Sequence, residues 1–306
     1  MKGFYPEGNC CAENIPKKKT YSVMELQEAA VSGEILEAVA YMCDSDHNLL
    51  VNLGAMKGVI PRIEGAIGIE EGNTRDIALI SRVGKTVCFT VEEISCDTQQ
   101  KPYALLSRRR AQQKCKKEFI ATLTPGDIID AKITHLESFG AFCDIGCGNI
   151  ALLPIDSISV SRISHPGDRF ETGDDIKVIV KSIDSCGRIT LSHKELLGTW
   201  QENADTLRAG DTVSGIVRSI ESYGIFVELA PNLAGLAEPK EGVRVGQSAS
   251  VYIKSIIPEK MKVKLIIIDS FDDAQRKKSE YFYEGDRIDR FEYSPPNSSK
   301  NIETIF

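Results

Sequence analysis

The chain has 306 residues, 42% of them hydrophobic and 26% charged, with 37 basic against 44 acidic side chains and a net charge of −7. That length allows two or three domains, and the composition is that of an ordinary globular chain rather than a disordered or fibrous one. No apolar run approaches the roughly 18–20 residues a membrane helix needs, and MKGFYPEGNCCAENIPKKKT lacks the apolar core of a secretory signal, so the expectation is a cytoplasmic location without membrane binding.

Residues 1–32 form an N-terminal extension in which Ser22 and Glu25, at capping-box spacing, open a short helix. Residues 33–109 hold five strand-like segments: GEILEAVAYM, LLVNLG, KGVIP, VGKTVCFTVEEI and PYALLSRRR. Residues 110–124 form a basic helical linker; the helix-favouring run RRRAQQKCKKEFI begins at Arg108, and 108–124 carries six basic residues against one acidic.

Residues 125–195 are the clearest unit. After a turn at Pro125-Gly126-Asp127, IIDAKITHL alternates, with Ile129, Ala131 and Ile133 on one face, as a half-buried strand does. AFCDI, IALL, IKVIVKSI and RITLSH supply four more strands, and a turn-rich stretch, PIDSISVSRISHPGDRFETGDD, separates the third from the fourth. Five short strands in about seventy residues fit a five-stranded oligonucleotide-binding barrel (OB-fold), with an SH3-like barrel or a small sandwich as the alternatives the pattern leaves open.

Residues 196–207 are a second helical linker, in which Trp200 is expected to anchor the linker to a barrel. Residues 208–268 repeat the strand order of 125–195. Residues 269–306 are a charged, Pro/Ser-containing tail whose aromatics, Tyr281-Phe282-Tyr283 with Phe291 and Tyr293, mark either an element that folds back or a partner-docking segment. The fold class is therefore mainly β: three tandem five-stranded barrels joined by short helical linkers.

One phrase recurs. ESFGAFCDI at 137–145 and ESYGIFVEL at 221–229 each place an aromatic-Gly-x-Phe at the start of the second strand. A pair of rings beside a glycine suits base stacking, because every base has a flat face and stacking is tolerant of sequence. Gly140 and Gly224 are expected to admit close backbone approach between the rings. In the first copy the phrase is gone, and His47 and Leu50 hold the aromatic positions.

GDIIDAKITHLESFGAFCDIG, followed by ALLPIDSIS and VKSIDSCGRITLSHKE, resembles the S1 (S-one) RNA-binding domain, which the small-subunit ribosomal protein of that name carries in tandem; the resemblance covers Gly33 to Ile268. It implies RNA-binding OB-fold barrels in which Phe139 and Phe142, and Tyr223 and Phe226, stack on bases. It further implies that Asp184 and Arg188 flank the last turn of the site, with Lys262 near the Arg position in the third copy. Asp184 either accepts from a base edge or ribose hydroxyl or fixes Arg188 in place. Where the family often has a His, this chain has Pro61, Pro154 and Glu238. Glu238 would repel phosphate, so the third barrel is expected to bind more weakly than the second. Backbone phosphate contacts are expected from Arg108, Arg109, Arg110 and Lys181.

The implied function is binding of single-stranded mRNA in bacterial translation, with the small ribosomal subunit as a candidate partner. The alternative is a protein-interaction scaffold that docks on ribosomal or other proteins with weak RNA affinity. No catalytic set, cofactor motif or metal site is read: His135, His165 and His193 lack a nucleophile at motif spacing, and the nine cysteines contain no CxxC pair.

Overall fold

A computed structural model describes residues 4–9, 20–272 and 280–306, so the Cys10-Cys11 pair lies outside the described residues. The chain divides into two compact units. One comprises Met1–Leu123, Asp130–Lys132 and Asp144–Ile150; the other comprises Thr124–Ile129, Ile133–Cys143 and Ala151–Phe306.

In the first unit, helix α1 (Val23–Ser32) starts on a complete capping box between Ser22 and Glu25 and ends at Gly33 in the left-handed region. Strands β1 (Leu36–Cys43), β2 (Leu49–Asn52) and β3 (Lys57–Ile60), helix α2 (Ile77–Ile80), and strands β4 (Thr86–Cys96) and β5 (Pro102–Ser107) follow. The strands close into a barrel of order β1-β2-β3-β5-β4. Its core includes Leu49, Leu53, Ile60, Phe89 and Leu106, with Leu26 of α1 and Leu79 of α2 packed in. Helix α3 (Arg108–Glu118) then leaves the barrel, capped by the Ser107 side chain.

The second barrel is built from β6 (Ile128–Glu137), β7 (Gly140–Asp144), β8 (Ile150–Pro154), β9 (Asp175–Ile183) and β10 (Ile189–Ser192). Helix α4 (Trp200–Ala204) precedes the third barrel: β11 (Thr212–Glu221), β12 (Gly224–Ala230), β13 (Leu233–Ala237), β14 (Ser248–Ile257) and β15 (Lys262–Phe271). Both barrels close in the same cyclic order as the first. In each barrel the third and fifth strands pair in parallel, and the fourth and fifth pair antiparallel. Three closed five-stranded barrels of this order are OB-folds, which removes the SH3-like and sandwich alternatives.

Trp200 is buried in the core of the third barrel with Val217, Val227 and Val251, as expected of an anchor. The stretch between β8 and β9 also does more than loop out. It carries Arg169 onto β12, where Arg169 Nη2 lies 2.5 Å from Glu228 Oε2, and both side chains are buried. Arg218 Nε reaches the same oxygen at 2.8 Å. Asn232 accepts from the Val160 N–H and donates to the Lys194 and Gly198 carbonyls.

The tail resolves in favour of folding back. Residues from 280 onward form a two-stranded ribbon, β16 (Arg290–Glu292) and β17 (Glu303–Ile305). The Ile288 N–H donates to Gly126 O, the Ile128 N–H donates to Asp286 O, and the Tyr293 hydroxyl donates to Asn232 O at 2.6 Å. The aromatics marked in the sequence are thus largely spent on packing: Tyr293 is buried, and Tyr281 lies edge-on to His193.

Candidate nucleic-acid interface

In the second barrel, Ala141 and Cys143 of β7 enter the core, so Phe142 between them faces outward and is half-buried. Phe139 stands in the preceding turn and is 54% exposed. The two rings are perpendicular, with centroids 6.0 Å apart and an interplanar angle of 89°. The third barrel reproduces the pair: Tyr223 is 65% exposed, and its ring lies 6.2 Å from that of Phe226, again at 89°. Perpendicular rings present two differently oriented faces, which suits successive bases of a splayed single strand rather than one base held between them.

His135 joins this surface. It stacks on Phe142, with centroids 6.4 Å apart and 22° between planes, and its Nε2 lies 2.7 Å from Glu137 Oε1. Sequence reading missed it because the alternation that buries Ile129, Ala131 and Ile133 would continue inward to His135. Instead His135 is exposed. At the matching place in the third barrel the register shifts between Val217 and Ser219, and such a bulge reverses which face a residue takes. Ser219 occupies the place of His135 there, so only the second barrel adds a third ring.

The glycines between the rings have a different role from the one expected. A Cβ on Gly140 would sit 2.5 Å from Leu153 O, and one on Gly224 would sit 2.6 Å from Ala237 O. The close approach is made by the third strand of the barrel, whose carbonyl occupies the space where a side chain would be.

Asp184 holds Arg188. Its Oδ1 accepts the backbone N–H groups of Cys186 and Arg188 at 2.8 and 2.9 Å, and its Oδ2 lies 2.7 Å from Arg188 Nε. These bonds, first the Arg188 N–H and then its guanidinium, hold the Asp184 carboxyl below the usual carboxylate range. Of the two roles left open for Asp184, the geometry supports fixing the turn. Arg188 itself is 81% exposed, free to present its remaining N–H groups outward. Asp97 accepts from the Gln99 and Lys101 N–H groups in the same way, so the first barrel carries an equivalent Asp turn that its eroded sequence concealed. In the third barrel Lys262 opens β15 opposite Ile257, in line with the expected match to Arg188.

Other expected contacts are redirected. Arg108 is not a phosphate contact. It is 3% exposed, its Nε lies 2.6 Å from Glu7 Oε1, and its Nη1 donates to Gly65 O. Arg109 pairs with Glu64 and Glu70, and Arg110 pairs with Glu92. The basic helix spends its arginines on local carboxylates. Lys181 Nζ donates to Ser157 Oγ at 3.1 Å and is half-buried. Glu238, expected to repel phosphate, is itself paired, with Lys254 Nζ 3.2 Å from its Oε1. In the first barrel Leu50 is 4% exposed, so no stacking surface exists at the matching position.

Among the described residues, no cluster of three or more His, Cys, Asp or Glu side chains could hold a metal ion. No described helix is long and apolar enough to cross a membrane.

Residues 122–194 match the S1 RNA binding domain family. Over most of its length the chain is 30% identical to a small ribosomal subunit protein bS1 homolog of Bacillus cereus, covering 82% of this chain and 67% of that protein. It is 32% identical to small ribosomal subunit protein bS1 of Staphylococcus aureus, covering 83% and 66%. Among solved structures, a multidomain protein with nucleic acid binding domains from Streptococcus pneumoniae matches with 15% identity and a TM-score of 0.25, covering 77% of this chain and 73% of that one. The chain spans about two thirds of the length of the curated relatives it matches. With three OB-fold barrels in series and this similarity to bS1 proteins, the chain belongs to the bS1 family of S1-domain proteins.

Proposed function

We propose that this chain binds single-stranded RNA in the cytoplasm as part of the translation apparatus. Bases stack on Phe139, Phe142 and His135 in the second barrel and on Tyr223 and Phe226 in the third, while Arg188 and Lys262 contact the backbone or an adjacent base. The observation that carries this reading is the repeated ring pair, held at 6.0 and 6.2 Å and at 89° in both barrels while Phe139 and Tyr223 stay exposed. Each ring that stacks on a base is worth about 1–3 kcal/mol. The double variant Phe139→Ala, Phe142→Ala is therefore expected to weaken binding of a short homopolymeric RNA at fixed salt by at least roughly fivefold. A folded double variant with unchanged affinity sinks the reading.

The first barrel favours a second role. Its stacking position is closed by Leu50, while Val39, Tyr41 and Met42 of β1 are exposed. This barrel serves as the docking module, with the small ribosomal subunit as its partner. Tyr41→Ser with Met42→Ser is expected to abolish cosedimentation with ribosomes and leave affinity for free RNA unchanged. Unaltered cosedimentation removes the docking role.

A further inference from the structure

Backbone pairing lays one outward row of residues across each barrel. In the third barrel the row runs Ser219, Phe226, Leu236, Lys264, Ser255, each paired with the next. In the first it runs Met42, Leu50, Val59, Leu105, Glu93. In the second its far end runs Leu152, Thr190, Ser182. In all three the fifth-strand member stands immediately before a register shift in its pairing with the fourth strand, which fixes the equivalence. The same place therefore holds Lys264 in the third barrel, Thr190 in the second and Leu105 in the first. The neighbouring place holds Ser255, Ser182 and Glu93.

Lys264 lies on the outer side of β15. Val263 and Leu265 on either side of it are in the core, and Lys262 and Lys264 are exposed. At about 4.8 Å between neighbouring strands, Lys264 stands roughly 10 Å from Phe226, with Leu236 between them. Lys254 on β14 is bound to Glu238, while Lys262 and Lys264 have no ion pair among the described residues. A strand whose bases lie on Tyr223 and Phe226 would carry its phosphates over this edge of the barrel.

We propose that Lys264 is a phosphate-binding residue of the third barrel, acting with Lys262 on the backbone of the RNA whose bases stack on Tyr223 and Phe226. This rests on the RNA-binding reading above and adds a division of labour to it. The second barrel holds RNA mainly through rings, whereas the third compensates for its missing histidine ring and missing Asp with a salt-sensitive lysine edge. The expected inferiority of the third barrel then applies at high salt and disappears at low salt.

The test uses the full chain carrying Phe139→Ala and Phe142→Ala, so that the third barrel dominates binding of a short homopolymeric RNA. In that background Lys264→Met is expected to weaken binding several-fold at low salt and to reduce the slope of log affinity against log salt by about 0.7, one single-strand phosphate contact. In the otherwise unaltered chain, Thr190→Lys is expected to steepen the slope by a similar amount. An unchanged slope in Lys264→Met, while Tyr223→Ala with Phe226→Ala still weakens binding, overturns the lysine assignment and leaves the stacking reading standing. If the ring variant also binds unchanged, the stacking reading falls and the lysine assignment falls with it. Lys264 is exposed, so its replacement leaves the core intact; matching thermal melts of variant and parent exclude a folding effect.

Discussion

In the first barrel Leu50 is sealed and the adjoining arginines face carboxylates; in the second, the matching Phe142 is half-buried beside the exposed Phe139, and Arg188 reaches outward. Both barrels close in the same strand order around apolar residues, Leu49 and Phe89 in the first and Ile133 and Leu153 in the second. The difference that bears on binding lies in outward-facing residues. Inward positions keep a barrel closed whatever it binds, so a copy can lose its site without losing its fold. The first unit directs its charges inward instead. Glu7 accepts from Arg108, Arg82 and the Cys88 N–H, and its own N–H donates to Asp144 Oδ2 at 2.7 Å. Burial alone would raise the Glu7 pKa, but the adjacent Arg108 charge and hydrogen bonds bring it below its ordinary value.

That contrast can be broken most forcefully at Glu7. Glu7→Ala leaves Arg108 buried without its counter-charge, which should cost about 3–5 kcal/mol in chemical denaturation. RNA affinity measured on folded protein should hold, because the rings lie elsewhere. A loss of affinity without a loss of stability would mean that the arginines of the first unit serve RNA after all.

A smaller effect separates the units by pH. His193 is fully buried between Phe170 and Tyr281, with Nδ1 3.0 Å from Ile158 O and, among the described residues, no partner for Nε2. Burial pushes its pKa down to about 4. The unfolded residue takes its proton near 6.5, so stability is complete above about that pH and falls as the solution is acidified toward 4, by up to about 3 kcal/mol. Urea titrations between these limits should show the loss, and His193→Asn, which can keep the bond to Ile158 O, should remove most of it. An identical pH profile in that variant would place the acid sensitivity elsewhere.

Gly140→Ala tests whether the ring pair depends on the close third strand. The added methyl meets Leu153 O, so stability should fall by about 1–3 kcal/mol and RNA binding should weaken through displaced rings. Unchanged melting and affinity would show that the glycine is incidental. The smallest effect is expected from Arg109→Ala with Arg110→Ala. These side chains sit in ion pairs on the outer side of α3, so RNA affinity and its salt slope should stay the same within error. A slope reduced by about 0.7 per residue would restore the helix as a backbone track.

The strands of all three barrels were legible in the sequence because alternation and turn residues are local signals, and the ring pairs were legible because a repeated phrase is visible without a fold. Glu93 and Leu105 could not be recognised as counterparts of Ser255 and Lys264, since that equivalence exists only through cross-strand register.

By itself, then, the sequence determined the number of five-stranded units and the inequality of their aromatic phrases, while the closed order of the strands came from the fold. Tertiary structure alone decided that Arg108 is a buried partner of Glu7, 101 residues away, that Gly140 yields space to a strand, that His135 lies beside Phe142, and that Lys264 shares a row with Phe226. Each of these depends on which distant groups the closed barrel brings within a few ångströms. Composition and periodicity set which residues turn inward; long-range packing and register choose what the outward ones meet.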